Sequence, residues 1–254
     1  NRKVRHIKVQ KRQATMGVTL AIIGALLLTP DTLLMRLSQL DGWNMLIWRG
    51  GLSGLAYFAI WALLNGPQTL PKVATFNFGM LVCCQILNAV FFSLAIALAP
   101  VVIVLIGVAT VPVFAALLSR FILNEPMSKL TLVTAFVVLA GLLISLLGHD
   151  VEGLVLDITT LVGLLLGLGV AFALAMNFTL IRKDSEVPFV LALSIGAICA
   201  ALVGFLCADK LQWLSFPKMM SIAFTGICIL PLSFVALSHA AGSIKSSTVS
   251  LIML

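Results

Sequence analysis

Two oppositely charged residues lie inside apolar segments of this chain. Asp31 closes an apolar run that begins near Met16, and Arg49 follows Asn44 in the next run. If the two runs are antiparallel helices, Asp31 lies about 22 Å along the first helix, at roughly the depth of Arg49 in the second. A lone charge in lipid is costly. We therefore expect either an ion pair that latches the helices, or a site where Arg49 binds a solute carboxylate and Asp31 an amine or a proton.

Neutral polar and aromatic residues extend this set of candidates. Gln85 and Asn88 are three residues apart and share a helix face, where they could hydrogen-bond a polar ligand or hold helices together. Trp48, Phe91 and Phe92 could stack on a flat solute or contact lipid. Asn177 and Lys245 lie in later apolar segments, with Lys245 among small residues near His239. Lys245 and His239 could contact an anionic solute or lie in the membrane interface, and helix-to-helix bonding alone could explain Asn177.

The residue pattern does not indicate an enzyme. The three histidines, His6, His149 and His239, fall in different segments, and the five cysteines have no zinc-site spacing. We therefore expect no catalytic residues, no metal and no cofactor. A membrane-embedded enzyme remains an alternative only for the acidic segment 149–157, and a non-transporting membrane scaffold is a further alternative.

The elements that must position these residues are membrane helices. The chain has 254 residues, of which 61% are hydrophobic and only 10% charged, and its mean hydropathy is +1.17. This composition predicts an all-α polytopic membrane protein of about nine helices, because a span needs about 20 apolar residues. The predicted spans, of which the ninth is too short to cross, are Met16–Met35, Asn44–Leu64, Val73–Leu98, Val101–Ile122, Leu130–Leu147, Thr160–Ile181, Val187–Ala208, Met219–Ser238 and Ile244–Leu254. Because the connections are tight, we expect consecutive helices to be antiparallel neighbours.

Basic residues predict the orientation. Residues 1–15 form a basic tail, and alternation from a cytoplasmic N-terminus places most other lysines and arginines inside. The loop 148–159 is then external and acidic. Attraction to anionic lipid accounts for the net charge of +7, so we expect the lipid bilayer and not nucleic acid as a partner.

Two pairs of segments match within the chain. Pro30–Arg36 can be aligned with Met176–Arg182, which pairs Asp31 with Asn177. Phe91–Pro100 can be aligned with Ser233–Gly242 at nearly the same spacing. In the predicted topology, the two copies run in opposite directions. The alignment therefore predicts two inverted repeats, covering 16–147 and 160–254.

The chain resembles EamA-like proteins of the drug/metabolite transporter superfamily. The resemblance rests on Val111–Ala116, followed by Leu123–Pro126 and then Ala140–Ser145, and on Arg49–Gly51 in the second span. It implies two inverted five-helix repeats around a central cavity. Against that pattern, the second repeat is expected to be truncated in its ninth helix.

The resemblance also implies a function. We expect a multi-pass protein of the plasma (inner) membrane that exports a small polar metabolite, such as an amino acid or an organic acid, by alternating access. Pro30 and Pro112, which can break or kink helices, are the expected hinges, and Pro231 can act similarly in the eighth span. Proton coupling through Asp31 is left open, as is the choice between monomer and homodimer.

Overall fold

The computed structural model describes residues 2–64, 73–124, 133, 136–137, 140, 158–184, 186–244 and 246–252, with side chains from residue 15 onward except at 246–247. These residues form helices and connections, with no strand among them. The helices are α1 (Arg2–Leu28), α2 (Asp31–Ser38), α3 (Gly42–Leu64), α4 (Phe76–Leu98), α5 (Val101–Val108), α6 (Val111–Ile122), α7 (Ile158–Lys183), α8 (Phe189–Cys207), α9 (Phe216–Phe224), α10 (Leu230–Ser243) and α11 (Ser246–Ile252). A π-helical segment, Thr225–Ile229, joins α9 to α10.

Within the described residues, seven helical segments are long and apolar enough to cross a membrane. They correspond to predicted spans one to four and six to eight, with ends that differ by at most a few residues. The fifth predicted span lies mostly outside the described residues, and the ninth is represented only by α11. A count of nine is therefore not confirmed. Helix α1 begins at Arg2 and so includes the segment assigned to the basic tail.

Three of the spans are interrupted next to a proline. The first breaks at Thr29 and Pro30, between α1 and α2. The fourth breaks between α5 and α6, just before Pro112 in the first turn of α6. The π-helical segment lies immediately before the turn that contains Pro231. Proline has no backbone N–H and its ring clashes with the preceding turn, so each irregularity has a local sequence cause.

The most extensive packing joins helices that are not consecutive in the chain. Helix α3 packs on α8, α4 packs on α7 and α8, and α1 packs on α10. Consecutive spans such as α3 and α4 also contact each other, but less extensively, because short loops constrain only the helix ends. Small residues determine which faces meet. Gly107 of α5 and Gly167 of α7 touch so closely that a Cβ atom on Gly167 would lie 2.6 Å from the carbonyl oxygen of Val104.

The contacts at helix ends agree with the predicted alternation of helix directions across the membrane. We call the end where α3 begins the outer end and the end where α4 begins the inner end, after the predicted orientation. At the outer end, the Asn44 amide donates to the Lys210 carbonyl oxygen at 2.9 Å and accepts from the Gln212 N–H at 2.9 Å, which ties the segment 208–215 to α3. At the inner end, the Asn77 amide nitrogen lies 3.4 Å from the Asp184 carboxylate.

Candidate functional site

A cavity of about 380 Å³ lies among α1, α2, α3, α4, α5, α7, α8 and α10. We call it the central cavity. Its lining is mostly apolar, and its polar side chains come chiefly from α2, α3 and α4: Asp31, Thr32, Arg49, Ser53, Tyr57, Gln85 and Asn88. Four of the residues predicted from the sequence, Asp31, Arg49, Gln85 and Asn88, therefore lie in one site.

The Asp31–Arg49 ion pair is present in this cavity. Arg49 Nη2 donates to Asp31 Oδ2 at 2.6 Å, and the two side chains are 9% and 2% exposed. The helix break at Pro30 makes Asp31 the first residue of α2, where the helix dipole favours a carboxylate. The guanidinium carbon of Arg49 also lies 5.4 Å from the ring centroid of Phe92, within the range of a cation–π contact.

The ion pair leaves hydrogen-bonding capacity unused in the cavity lining. Asp31 Oδ1, Arg49 Nε, the Tyr57 hydroxyl and Gln85 Oε1 are buried and have no partner within the described part of the chain. Buried polar atoms in folded proteins are normally hydrogen-bonded. These four atoms include both donors and acceptors, and all belong to residues that line the central cavity.

A second cavity of about 330 Å³ lies at the inner end. We call it the inner cavity. Its lining includes Trp61, Glu186, Phe189, Ser238 and His239. The His239 ring stands edge-on to Phe189, with 5.3 Å between the ring centroids. This cavity is thus a separate space with polar groups of its own.

Comparison with known proteins decides the family. The model of the EamA-like transporter family matches residues 15–147, which is more than half of the chain. The chain belongs to the EamA-like transporter family. Members of this family are transporters and generally not enzymes, so this family member is an integral, multi-pass membrane protein of transporter type.

Two further comparisons add to this assignment. No curated protein matches this chain. A solved structure described as "Crystal structure of protein" superposes with a TM-score of 0.70 at 17% sequence identity, over 94% of this chain and 84% of that chain. At that identity, the likeness concerns the fold alone.

The remaining predicted site residues of this EamA-like protein lie elsewhere. Trp48 is not among the residues that line the central cavity; its Nε1 donates to the Gln212 carbonyl oxygen at 3.1 Å and its ring centroid lies 5.9 Å from that of Trp213. The cavity lining contains three other aromatic residues, Tyr57, Phe92 and Phe234. Asn177 is buried in α7 and lines neither cavity. Lys245 lies outside the described residues.

Sequence reasoning missed three polar residues of α2 and α3 that line the central cavity, Thr32, Ser53 and Tyr57. Tyr57 is the single tyrosine of the chain and is only 1% exposed. Arg49, Ser53 and Tyr57 follow one another at intervals of four, which places them along one side of α3. This spacing from a buried arginine was the signal that could have identified both Ser53 and Tyr57.

Metal-binding chemistry finds no support in the described residues. They contain no group of three or more histidine, cysteine, aspartate or glutamate side chains that could hold a metal ion. The five cysteines, Cys83, Cys84, Cys199, Cys207 and Cys228, are free thiols.

Proposed function

We propose that this protein is a secondary-active transporter that moves a small polar metabolite across the plasma (inner) membrane by alternating access, as an exporter with a cytoplasmic N-terminus. The observation that carries the proposal is the buried Asp31–Arg49 pair in the wall of the central cavity. A scaffold that only packs in lipid has no need of a desolvated ion pair and unused hydrogen-bonding atoms around an internal cavity.

The charge of the lining favours a solute without net charge. Among the lining residues, Asp31 and Arg49 carry opposite charges and already neutralise each other. A free organic acid would have to displace Asp31 from Arg49 or remain buried without a counter-ion, and both are costly. An uncharged polar solute or a zwitterion such as an amino acid meets neither cost, so we favour these classes over organic acids.

The size and shape of the lining favour a small molecule. A volume of about 380 Å³ is near the lower end of the range for ligand pockets. Phe92 offers a flat apolar surface beside Arg49, and Gln85 Oε1 and Asp31 Oδ1 are acceptors for solute N–H groups. A compact solute with N–H donors and one flat or apolar part fits these groups.

Alternating access requires two halves that can move against each other. We propose that residues 16–147 and 160–254 form inverted repeats, and that the helix breaks at Pro30 and Pro112 act as hinges. The break at Pro30 adjoins Asp31, so a movement of α2 against α3 would change the ion pair directly. Proton coupling by Asp31 would require its release from Arg49, and loss of gradient-driven transport in Asp31→Asn would support such coupling.

Counterflow transport in liposomes tests the proposal. The purified protein is reconstituted with unlabelled solute inside and labelled solute outside, using glutamine, uracil, adenosine, glucose and succinate in separate experiments. We expect exchange of at least one solute without net charge and no exchange of succinate, with protein-free liposomes as the background. If no solute exchanges while the protein stays folded and monodisperse, the scaffold alternative is the better description.

A further inference from the structure

The central and inner cavities are stacked along the same helices. Helices α3, α7, α8 and α10 contribute to the lining of both. Each of these helices has at least one residue at the central cavity and another at the inner cavity. The residues at the central cavity include Tyr57 on α3, Leu174 on α7, Ala197 on α8 and Phe234 on α10. Those at the inner cavity include, in the same helix order, Trp61, Ile181, Val190 and Ser238.

The spacing within each pair is four or seven residues. In an α-helix these intervals return to nearly the same face, with a rise of about 6 Å for four residues and about 10 Å for seven. The two cavities therefore face the same side of each helix. A barrier only one to two helical turns thick separates them.

Asn177 lies within this barrier. It follows Leu174 by three residues and precedes Ile181 by four, so it shares their face of α7. The side chain is 3% exposed, and both its amide nitrogen and its amide oxygen lack a partner within the described residues. Leaving buried polar atoms unpaired destabilises the folded protein. A leucine or alanine at this position would avoid that cost.

We propose that the two cavities are successive parts of one solute pathway, and that the Asn177 amide is the site that binds the solute as it passes between them. This inference rests on the proposed transport function. An amide offers one donor group and one acceptor, so it replaces both kinds of hydrogen bond that a polar solute gives up on leaving Arg49 and Gln85. The sequence alignment that pairs Asn177 with Asp31 agrees with a role for both positions on the pathway.

Thiol labelling tests the pathway without knowledge of the solute. In protein whose five cysteines are replaced by alanine, a single cysteine is introduced at Asn177, at His239, which is exposed and lines the inner cavity, or at Ala175, which is fully buried on another side of α7. The probe is a membrane-impermeant cationic methanethiosulfonate applied from the inner side. We expect His239→Cys to react fastest, and Asn177→Cys to react at least tenfold faster than Ala175→Cys. Equal and negligible rates at Asn177→Cys and Ala175→Cys would overturn the inference.

A leucine substitution separates a transport role from a structural one. Because Asn177→Leu removes two unpaired buried atoms, we expect it to raise resistance to unfolding while lowering the counterflow rate at least tenfold. If Asn177 had only a structural role, the substitution would lower both the resistance to unfolding and the counterflow rate, or neither of them. If the unsubstituted protein transports and Asn177→Leu transports equally well, the inference about Asn177 fails and the proposed function stands. If the unsubstituted protein transports nothing, the proposed function itself fails.

Discussion

The Asp31–Arg49 pair allows a quantitative prediction about stability. Both side chains are at least nine-tenths buried, and the bond between Arg49 Nη2 and Asp31 Oδ2 is 2.6 Å long. With charge centres about 4 Å apart and an effective dielectric constant of about 20, the attraction is about 4 kcal/mol. Removing one partner of a buried pair also leaves an uncompensated charge, at a typical cost of about 3 to 5 kcal/mol.

We therefore expect Asp31→Asn and Arg49→Gln each to lower the free energy of unfolding by about 3 kcal/mol. The double variant should lose less free energy of unfolding than the two single variants lose together, because it buries no isolated charge. We expect the difference between that sum and the loss in the double variant, which is the coupling energy, to be about 2 kcal/mol or more. Unfolding is measured by sodium dodecyl sulfate titration in mixed micelles, with the fluorescence of the 4 tryptophans as the signal.

Asp209→Asn provides the matched control. Asp209 is an exposed carboxylate in the segment 208–215 at the outer end. Its change should stay within about 0.5 kcal/mol. A coupling energy below about 0.5 kcal/mol for the Asp31–Arg49 cycle would refute the view that the pair latches α2 to α3, and would leave solute binding as the reason for the two charges.

Two further predictions concern packing and the outer loop. Gly167→Ala should destabilise the protein by about 2 kcal/mol in the same titration, since its Cβ would lie 2.6 Å from a backbone oxygen of α5, whereas Gly51→Ala, with nothing within 4 Å, should not. Asn44→Ala removes both side-chain bonds to the segment 208–215, so trypsin should cleave after Lys210 several times faster than in the unsubstituted protein. An unchanged stability of Gly167→Ala would contradict the close contact between α5 and α7. An unchanged rate of trypsin cleavage in Asn44→Ala would contradict the role of Asn44 in holding the segment 208–215.

Local sequence was sufficient for the elements of the fold. Runs of about 20 apolar residues predicted nine helices, and seven of membrane length are found within the described residues, because lipid requires each backbone hydrogen bond to be satisfied within its own segment. The helix irregularities were also predictable, because proline acts on its own turn: α1 ends two residues before Pro30, and α6 begins one residue before Pro112. Depth along antiparallel helices placed Asp31 level with Arg49, and the ion pair that the structure contains was one of the two alternatives.

The tertiary structure decided which helix faces meet and where space remains between them. The packing of α3 on α8 could not be predicted, since it depends on small residues such as Gly54 and on complementary surfaces far apart in sequence. For the same reason, Trp48 was predicted in the site but contacts the outer loop, while Tyr57 was overlooked and lines the central cavity. The sequence by itself determined a bundle of apolar helices with a few buried polar residues, because hydrophobicity and proline chemistry act locally. Only tertiary packing determined which of those residues share a cavity, because a cavity is the gap left where several distant surfaces fail to close.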